Sequence, residues 1–238
     1  STLGFKDVLR KSWERSAFEL KAGAIRAEST STARIAVGPS NTNFTVIETK
    51  DTALSAENYF LNGRYDRTIS KSFFWFVGSG WDRNRFAGVE NRYSGVAGVG
   101  NNWVDTDRVK YRTDYSLTYT REDDVVAAPD VKKDYAGARL SSRLVRKLGA
   151  TSSFGNDLAV DENLDETRDL RVDMTNWLAA SMTSRLALKV SLQWLYDNRP
   201  AFRVVDREFP VGTSTGQTVL VELERLDTIV TASLVVNF

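Results

Sequence analysis

The 238-residue sequence contains no histidine and no cysteine, which decides much of what its charged side chains could do. Without His there is no Ser-His-Asp triad, no imidazole general base and no His-ligated zinc. Without Cys there is no thiolate nucleophile, thiolate metal site or disulfide. What remains is a near balance of 32 Lys+Arg against 31 Asp+Glu. Nucleic-acid binding would call for a basic excess or run, and neither is present. The acidic run Asp157, Asp161, Glu162, Asp165, Glu166 and Asp169 offers the oxygen ligands that Ca²⁺ takes. It lacks the EF-hand spacing with a central Gly, so it reads as a solvated loop. Paired carboxylates such as Asp114 and Asp173, Lys or Tyr are the enzymatic options left. The expectation is no catalytic residue, no cofactor and no metal.

The charged residues recur at alternate positions, so strands must carry them. Over 108–122, Val109, Tyr111, Tyr115, Leu117 and Tyr119 oppose Lys110, Arg112, Asp114, Ser116 and Thr118. Phe73, Trp75, Val77 and Trp81 oppose Gly78, Gly80 and Asp82 in the same way. Period-two alternation marks a strand with two unlike faces. It recurs over 132–147, 167–181, 186–197 and 218–238. No helical period is sustained, and no run reaches the ~18–20 apolar residues that a membrane helix needs. Mean hydropathy is −0.34, an average in which lipid-facing and lumen-facing residues of a membrane barrel would cancel.

Three features point to a transmembrane up-and-down antiparallel β-barrel built as one domain over 1–238. Tight turns near 12, 69, 104, 149 and 183 alternate with longer connections, of which 30–51 and 199–216 read as long outer loops. Trp13, Tyr65, Phe73, Trp75, Trp103 and Tyr111 gather near the turns, as an interfacial aromatic girdle would. The last strand alternates Val230, Ala232, Leu234, Val236 and Phe238 against Thr231, Ser233, Val235 and Asn237. It resembles the C-terminal strand signature of outer-membrane barrels, in which the terminal Phe, here Phe238, is part of the recognition signal for the insertion machinery. Eleven strands are counted; since bacterial barrels have even numbers, about 12 are expected, with one strand preceding Ser1 or misread. A soluble sandwich also alternates, and a lipocalin-like binder is the soluble rival.

The segment from Phe74 to Thr106 resembles the salt-induced outer-membrane protein family, catalogued as a domain of unknown function. Asp82, Arg85, Phe86, Gly88, Arg92, Tyr93, Gly95, Gly98, Gly100, Asp105 and Thr106 stand at its motif positions. The resemblance implies a barrel in the outer membrane of a Gram-negative bacterium and brings no reaction or substrate.

In such a barrel the polar faces line the lumen. The candidates are Arg64, Asp66, Asp82, Lys110, Arg112, Asp114, Arg139, Arg143, Arg171, Asp173 and Lys189. Their signs are interspersed, so the expected lumen is narrow or filled by paired charges, with a structural or envelope-adaptation role. The alternatives are a small-solute or ion pore, with Arg139, Arg143 and Arg171 as an anion-favouring patch, and a barrel subunit that docks a larger envelope assembly. Asp7 and Asn176, polar residues in outward register, are the hints of docking. Expected partners are outer-membrane lipid and lipopolysaccharide, the barrel insertion machinery, envelope proteins, and no nucleic acid.

Overall fold

The computed structural model describes residues 2–40, 43–126, 132–183, 185–208, 210 and 213–236, with the backbone alone at 2–3, 27–56, 208, 214–215 and 236. Phe238 lies outside the described residues. The strands are β1 (Thr2–Ser12), β2 (Ser16–Ser40), β3 (Asn43–Thr68), β4 (Phe73–Asn84), β5 (Val89–Asp105), β6 (Val109–Asp124) and β7 (Asp134–Lys147). They continue as β8 (Ser152–Asn163), β9 (Leu170–Ser181), β10 (Leu186–Asp197), β11 (Phe202–Glu208), β12 (Ser214–Glu222) and β13 (Leu226–Val236).

Eleven strands form one antiparallel sheet in the order β1 to β10 and then β13, while β11 and β12 pair only with each other. The registers carry the sequence alternation across the sheet. Asp66 stands opposite Phe76, Phe76 opposite Gly98, and Gly98 opposite Ser116. Ser116 stands opposite Arg139, Arg139 opposite Asp161, and Asp161 opposite Arg171. One face is therefore polar, relieved by Phe74 and Phe76, and the other is aliphatic and aromatic. On that apolar face Tyr115, Leu117, Tyr119 and Val230 are 44, 67, 60 and 73% exposed. Apolar exposure on this scale, repeated strand after strand, is a surface that water does not suit.

The polar face is concave. Arg64 on β3 bonds Asp114 on β6, and Arg171 on β9 bonds Glu122 on β6. Each pair lies three strands apart, about 14 Å along a flat sheet at ~4.8 Å per strand, so the sheet must curl for the side chains to meet. The curl continues past them: Lys6 on β1 lies near enough to Asp173 and Lys189, on β9 and β10, for their charges to interact.

Two expectations need correction. Residues 30–51 are not a long loop: β2 and β3 stay paired from Ser16↔Arg67 to Ser40↔Asn43. Beyond Ala27, where β1 ends, and Asn58, where β4 ends, they form a two-stranded ribbon. Ser, Thr and Gly composition suggested loop, but a two-stranded ribbon beyond the main sheet pairs through its backbone and needs no alternation of apolar and polar residues. Residues 199–216 are likewise not a plain loop, since they contain β11 and the start of β12. The stretch from Thr218 is the end of that ribbon followed, after Leu223–Arg225, by β13. The main sheet has eleven strands, the number counted in the sequence, and it is not closed by hydrogen bonds among the described residues. The two edge strands, β1 and β13, both run from the long-connection end to the short-turn end. They cannot join as the antiparallel neighbours that make up the rest of the sheet.

Candidate functional site: the charged concave face

Strand β6 is the element on which this face is built. It sends Arg112, Asp114, Ser116, Thr118, Thr120 and Glu122 to one side, and two of these anchor the long-range ion pairs.

Near the short turns, Arg64 donates from Nη1 to Asp114 Oδ2 at 2.6 Å and from Nη2 to Asp66 Oδ1 at 2.7 Å. Arg112 donates to the same Asp114 oxygen at 3.0 Å. Two rings support the guanidinium groups: Arg64 Cζ is 3.7 Å from the Phe76 ring centre and Arg112 Cζ is 4.7 Å from that of Phe74. Cation–π contact of this kind holds a charge that water reaches only in part. The cluster needs Gly100 on β5, because a Cβ there would collide with the Phe74 ring and come within 2.8 Å of Asp114 Oδ1.

Near the long connections, Arg171 donates to Glu122 at 2.9 Å, to Tyr135 Oη at 3.1 Å and to Asp169 at 3.1 Å, and lies 3.4 Å from Asp197. Arg92 grips Glu122 with two bonds, 2.7 and 3.0 Å, and approaches Asp82 at 3.5 Å. This knot ties β4, β5, β6, β7, β9 and β10 together.

Between the two clusters lies a cavity of about 420 Å³. Of the lumen candidates, Arg64, Asp66, Arg112, Asp114, Arg139, Arg143 and Asp173 line it. Arg139 pairs with Asp161 and Arg143 with Asp157, each from Nε at 2.6 Å. Asp173 accepts from Gln193 at 2.8 Å. Lys189 rests its Nζ 4.5 Å from the centre of the Trp177 ring, which in turn lies over Gly155, where a Cβ would strike it. Asp82 belongs to the knot, away from the cavity.

Two candidates fall elsewhere than expected. Lys110 reaches Asp105 at 2.9 Å across the β5–β6 turn, with a side chain 67% exposed, at the sheet's rim. Arg171 does not join Arg139 and Arg143 in an anion-favouring patch, because Glu122, Asp169 and Asp197 surround it. Alternation reports the face on which a residue lies and not its height along the strand, and height decided both. The lumen candidates left out Glu122, Tyr135 and Arg92, the last singled out only as a motif position. Glu122 shares the parity of Asp114 and was legible, but its position at the end of a strand made it look like loop. The acidic run is dispersed: Asp157, Asp161, Glu166 and Asp169 each face a different arginine. Among the described residues no acidic group is arranged to hold a metal ion.

The aromatic candidates lie at the short-turn end. Tyr65 and Trp75 stack with ring centres 5.8 Å apart, and Trp103 donates its indole N–H to Thr113 Oγ1 at 2.8 Å. Tyr111 faces Val104 and Leu144 on the apolar side. Phe73 opens β4, and Trp13 sits in the β1–β2 turn, half exposed, with Lys11 Nζ 5.4 Å from its ring centre. The two outward polar residues are satisfied locally. Asp7 accepts from the Val8 N–H at 2.8 Å, and Asn176 accepts from Asn156 at 2.9 Å.

Among solved structures the chain is similar to a NanC porin, with TM-score 0.50, 10% identity and 99% of each chain covered. It is also similar to an anion-selective porin from Comamonas acidovorans, with TM-score 0.43, 8% identity, and 100% of this chain and 89% of that one covered. A Pseudomonas aeruginosa FadL homologue matches with TM-score 0.37 and 9% identity, over 98% of this chain and 65% of that one. No functionally curated protein matches the sequence. At such identities the first of these bears on the fold alone, an all-β antiparallel barrel architecture of porin type. The family comparison matches residues 3–213, and the chain belongs to the family described as "Protein of unknown function, DUF481".

Proposed function

We propose that this chain is a non-enzymatic β-barrel protein of the Gram-negative outer membrane, with a lumen narrowed by paired charges and a structural or envelope-adaptation role. The observation that carries the reading is the pair of ionic braces, Arg64–Asp114 and Arg171–Glu122, thrown across a concave face whose reverse is mainly apolar. A hydrocarbon layer is the environment that suits such a reverse face, and the aromatic rim matches its headgroup boundary. The salt-induced character of the family resembled by 74–106 fits an envelope-adaptation role. Contacts with lipid and lipopolysaccharide along the apolar band, and insertion by the barrel machinery through the last strand, belong to the same reading. Docking of envelope proteins gains little support, since Asp7 and Asn176 already have partners.

The test is to fold the full chain in detergent, follow its heat-modifiable migration on a gel, and measure its conductance in a planar bilayer. A heat-modifiable species with no openings, or openings far below those of a general porin in the same bilayer, is the expected result. Large steady openings would sink the filled-lumen reading, and a detergent-independent soluble monomer would sink the membrane reading. A narrow pore for small solutes is the second reading, favoured by the cavity left between the braces.

A further inference from the structure

Arg112 and Arg143 stand directly opposite one another on β6 and β7, both on the concave face and both lining the cavity. Like charges in directly opposed positions destabilise a ladder. Carboxylates offset this pair in part: Asp66 stands 3.7 Å from Arg112, and Glu19 on β2 lies near enough to Arg143 for their charges to interact. Asp114 lies 3.0 Å from Arg112 but is held closer by Arg64, at 2.6 Å. Asp157, opposite Arg143 on β8, takes its Nε at 2.6 Å and also accepts from the Trp177 indole at 3.2 Å.

The way Arg143 is held matters. Its one hydrogen bond among the described residues leaves from Nε, and its side chain is 43% exposed to the cavity. A guanidinium tethered through Nε presents both Nη groups as a planar fork, the geometry that takes a carboxylate or phosphate group bidentately. Six cationic residues and five carboxylates line the cavity, and Arg139 among them is paired with Asp161 beside it, so an incoming anion would be drawn by the Arg112–Arg143 pair and not by an excess of charge. The cavity volume of about 420 Å³ compares with ~30 Å³ for a water molecule in the liquid, which is ample for a small acid.

We propose that Arg112 and Arg143 form a binding site for a small oxyanion, a carboxylate or phosphate group, held in the cavity between the two ionic braces. The anion lies between the opposed guanidinium groups, takes the Nη fork of Arg143, and relieves the like-charge pair. The site rests on the barrel reading above only in that the cavity is then the lumen.

The experiment is thermal unfolding of the full chain folded in detergent, followed by heat-modifiable migration in a phosphate-free buffer. Inorganic phosphate and acetate are titrated separately against chloride at matched ionic strength. A saturable rise in the unfolding midpoint is expected from at least one of them, and the more effective anion identifies the headgroup class. Arg143→Gln weakens that anion's apparent affinity about tenfold or more, the equivalent of one good charge-assisted pair. Arg143→Lys, which keeps the charge and loses the fork, falls between, and Lys147→Gln at the rim leaves affinity unchanged. A folded wild type that responds to neither anion overturns the proposal, as does an Arg143→Gln protein that binds as the wild type does. Should Arg143→Gln fail to fold, Arg143→Lys decides, and unchanged affinity there overturns the proposal. Failure of the barrel reading would appear differently, as the absence of any heat-modifiable species.

Discussion

Asp114 has one oxygen shared between Arg64 and Arg112, and the other, Oδ1, buried with no hydrogen-bond partner among the described residues. Its residue is 5% exposed, so its charge is needed where it stands. Asp114→Asn leaves two guanidinium groups without their shared counter-charge. The expected loss is about 3 kcal/mol, the usual cost of breaking a buried pair by removing one partner. Urea-driven loss of the folded gel species measures it, and an unchanged midpoint would remove the brace from the account of stability. A pair of glycines on β5 separates packing from charge. Gly100→Ala drives a methyl into the Phe74 ring and should cost about 1–3 kcal/mol. At Gly95 an added Cβ meets nothing within 4 Å, and Gly95→Ala should stay within about 0.5 kcal/mol of the wild type. Equal effects at both sites would show that the close approach at Gly100 is not what matters.

At the scale of elements, the β11–β12 ribbon shares no ladder with the main sheet. Its base closes on itself, with the Leu223 N–H donating to Ala201 O at 2.9 Å. Replacing residues 202–222 with a short flexible linker should therefore leave the barrel able to fold, as judged by heat-modifiable migration. Val204, Val205, Val219, Leu220 and Val221 are all exposed on it, so its removal should also reduce aggregation in detergent. If deletion abolished folding, the ribbon would be part of the folding unit and its separate ladder misleading. Ribbons of this kind are where reading the chain for loops goes wrong. Loop composition and ribbon composition coincide when neither face needs to be apolar, whereas β6 and β13 were legible because their two faces differ in polarity, residue by residue.

For the whole molecule, the two braces share β6 and span β3 to β9, so together they set how far the sheet curls. Replacing both donors, as Arg64→Gln with Arg171→Gln, takes away the side chains that cross the lumen at its two ends. Planar-bilayer conductance of the folded double variant should rise above that of the wild type, and by more than either single variant produces, since each brace alone still narrows one end. A double variant as silent as the wild type would mean that other inward side chains fill the lumen. The direction of the edge strands carries a second consequence. Because β1 and β13 run the same way, antiparallel closure requires one strand of opposite direction between them, and the expectation of an even-numbered barrel rests on that geometry rather than on the count of eleven.

The sequence alone determined that this is an all-β chain with unlike strand faces, and which residues share each face. Those properties follow from the two-residue period of an extended backbone, which needs no knowledge of partners. It also placed the aromatic residues near the short turns, because a residue's distance from a turn is a distance along the chain. The tertiary structure decided which charges meet. Arg64 finds Asp114, 50 residues away, and Arg171 finds Glu122, 49 residues away, only because the sheet curls across the two strands between them. It likewise moved Arg171 out of the arginine patch and put Arg112 opposite Arg143, since registry and height along the strand are set by pairing and curvature and leave no mark in the alternation of a single strand.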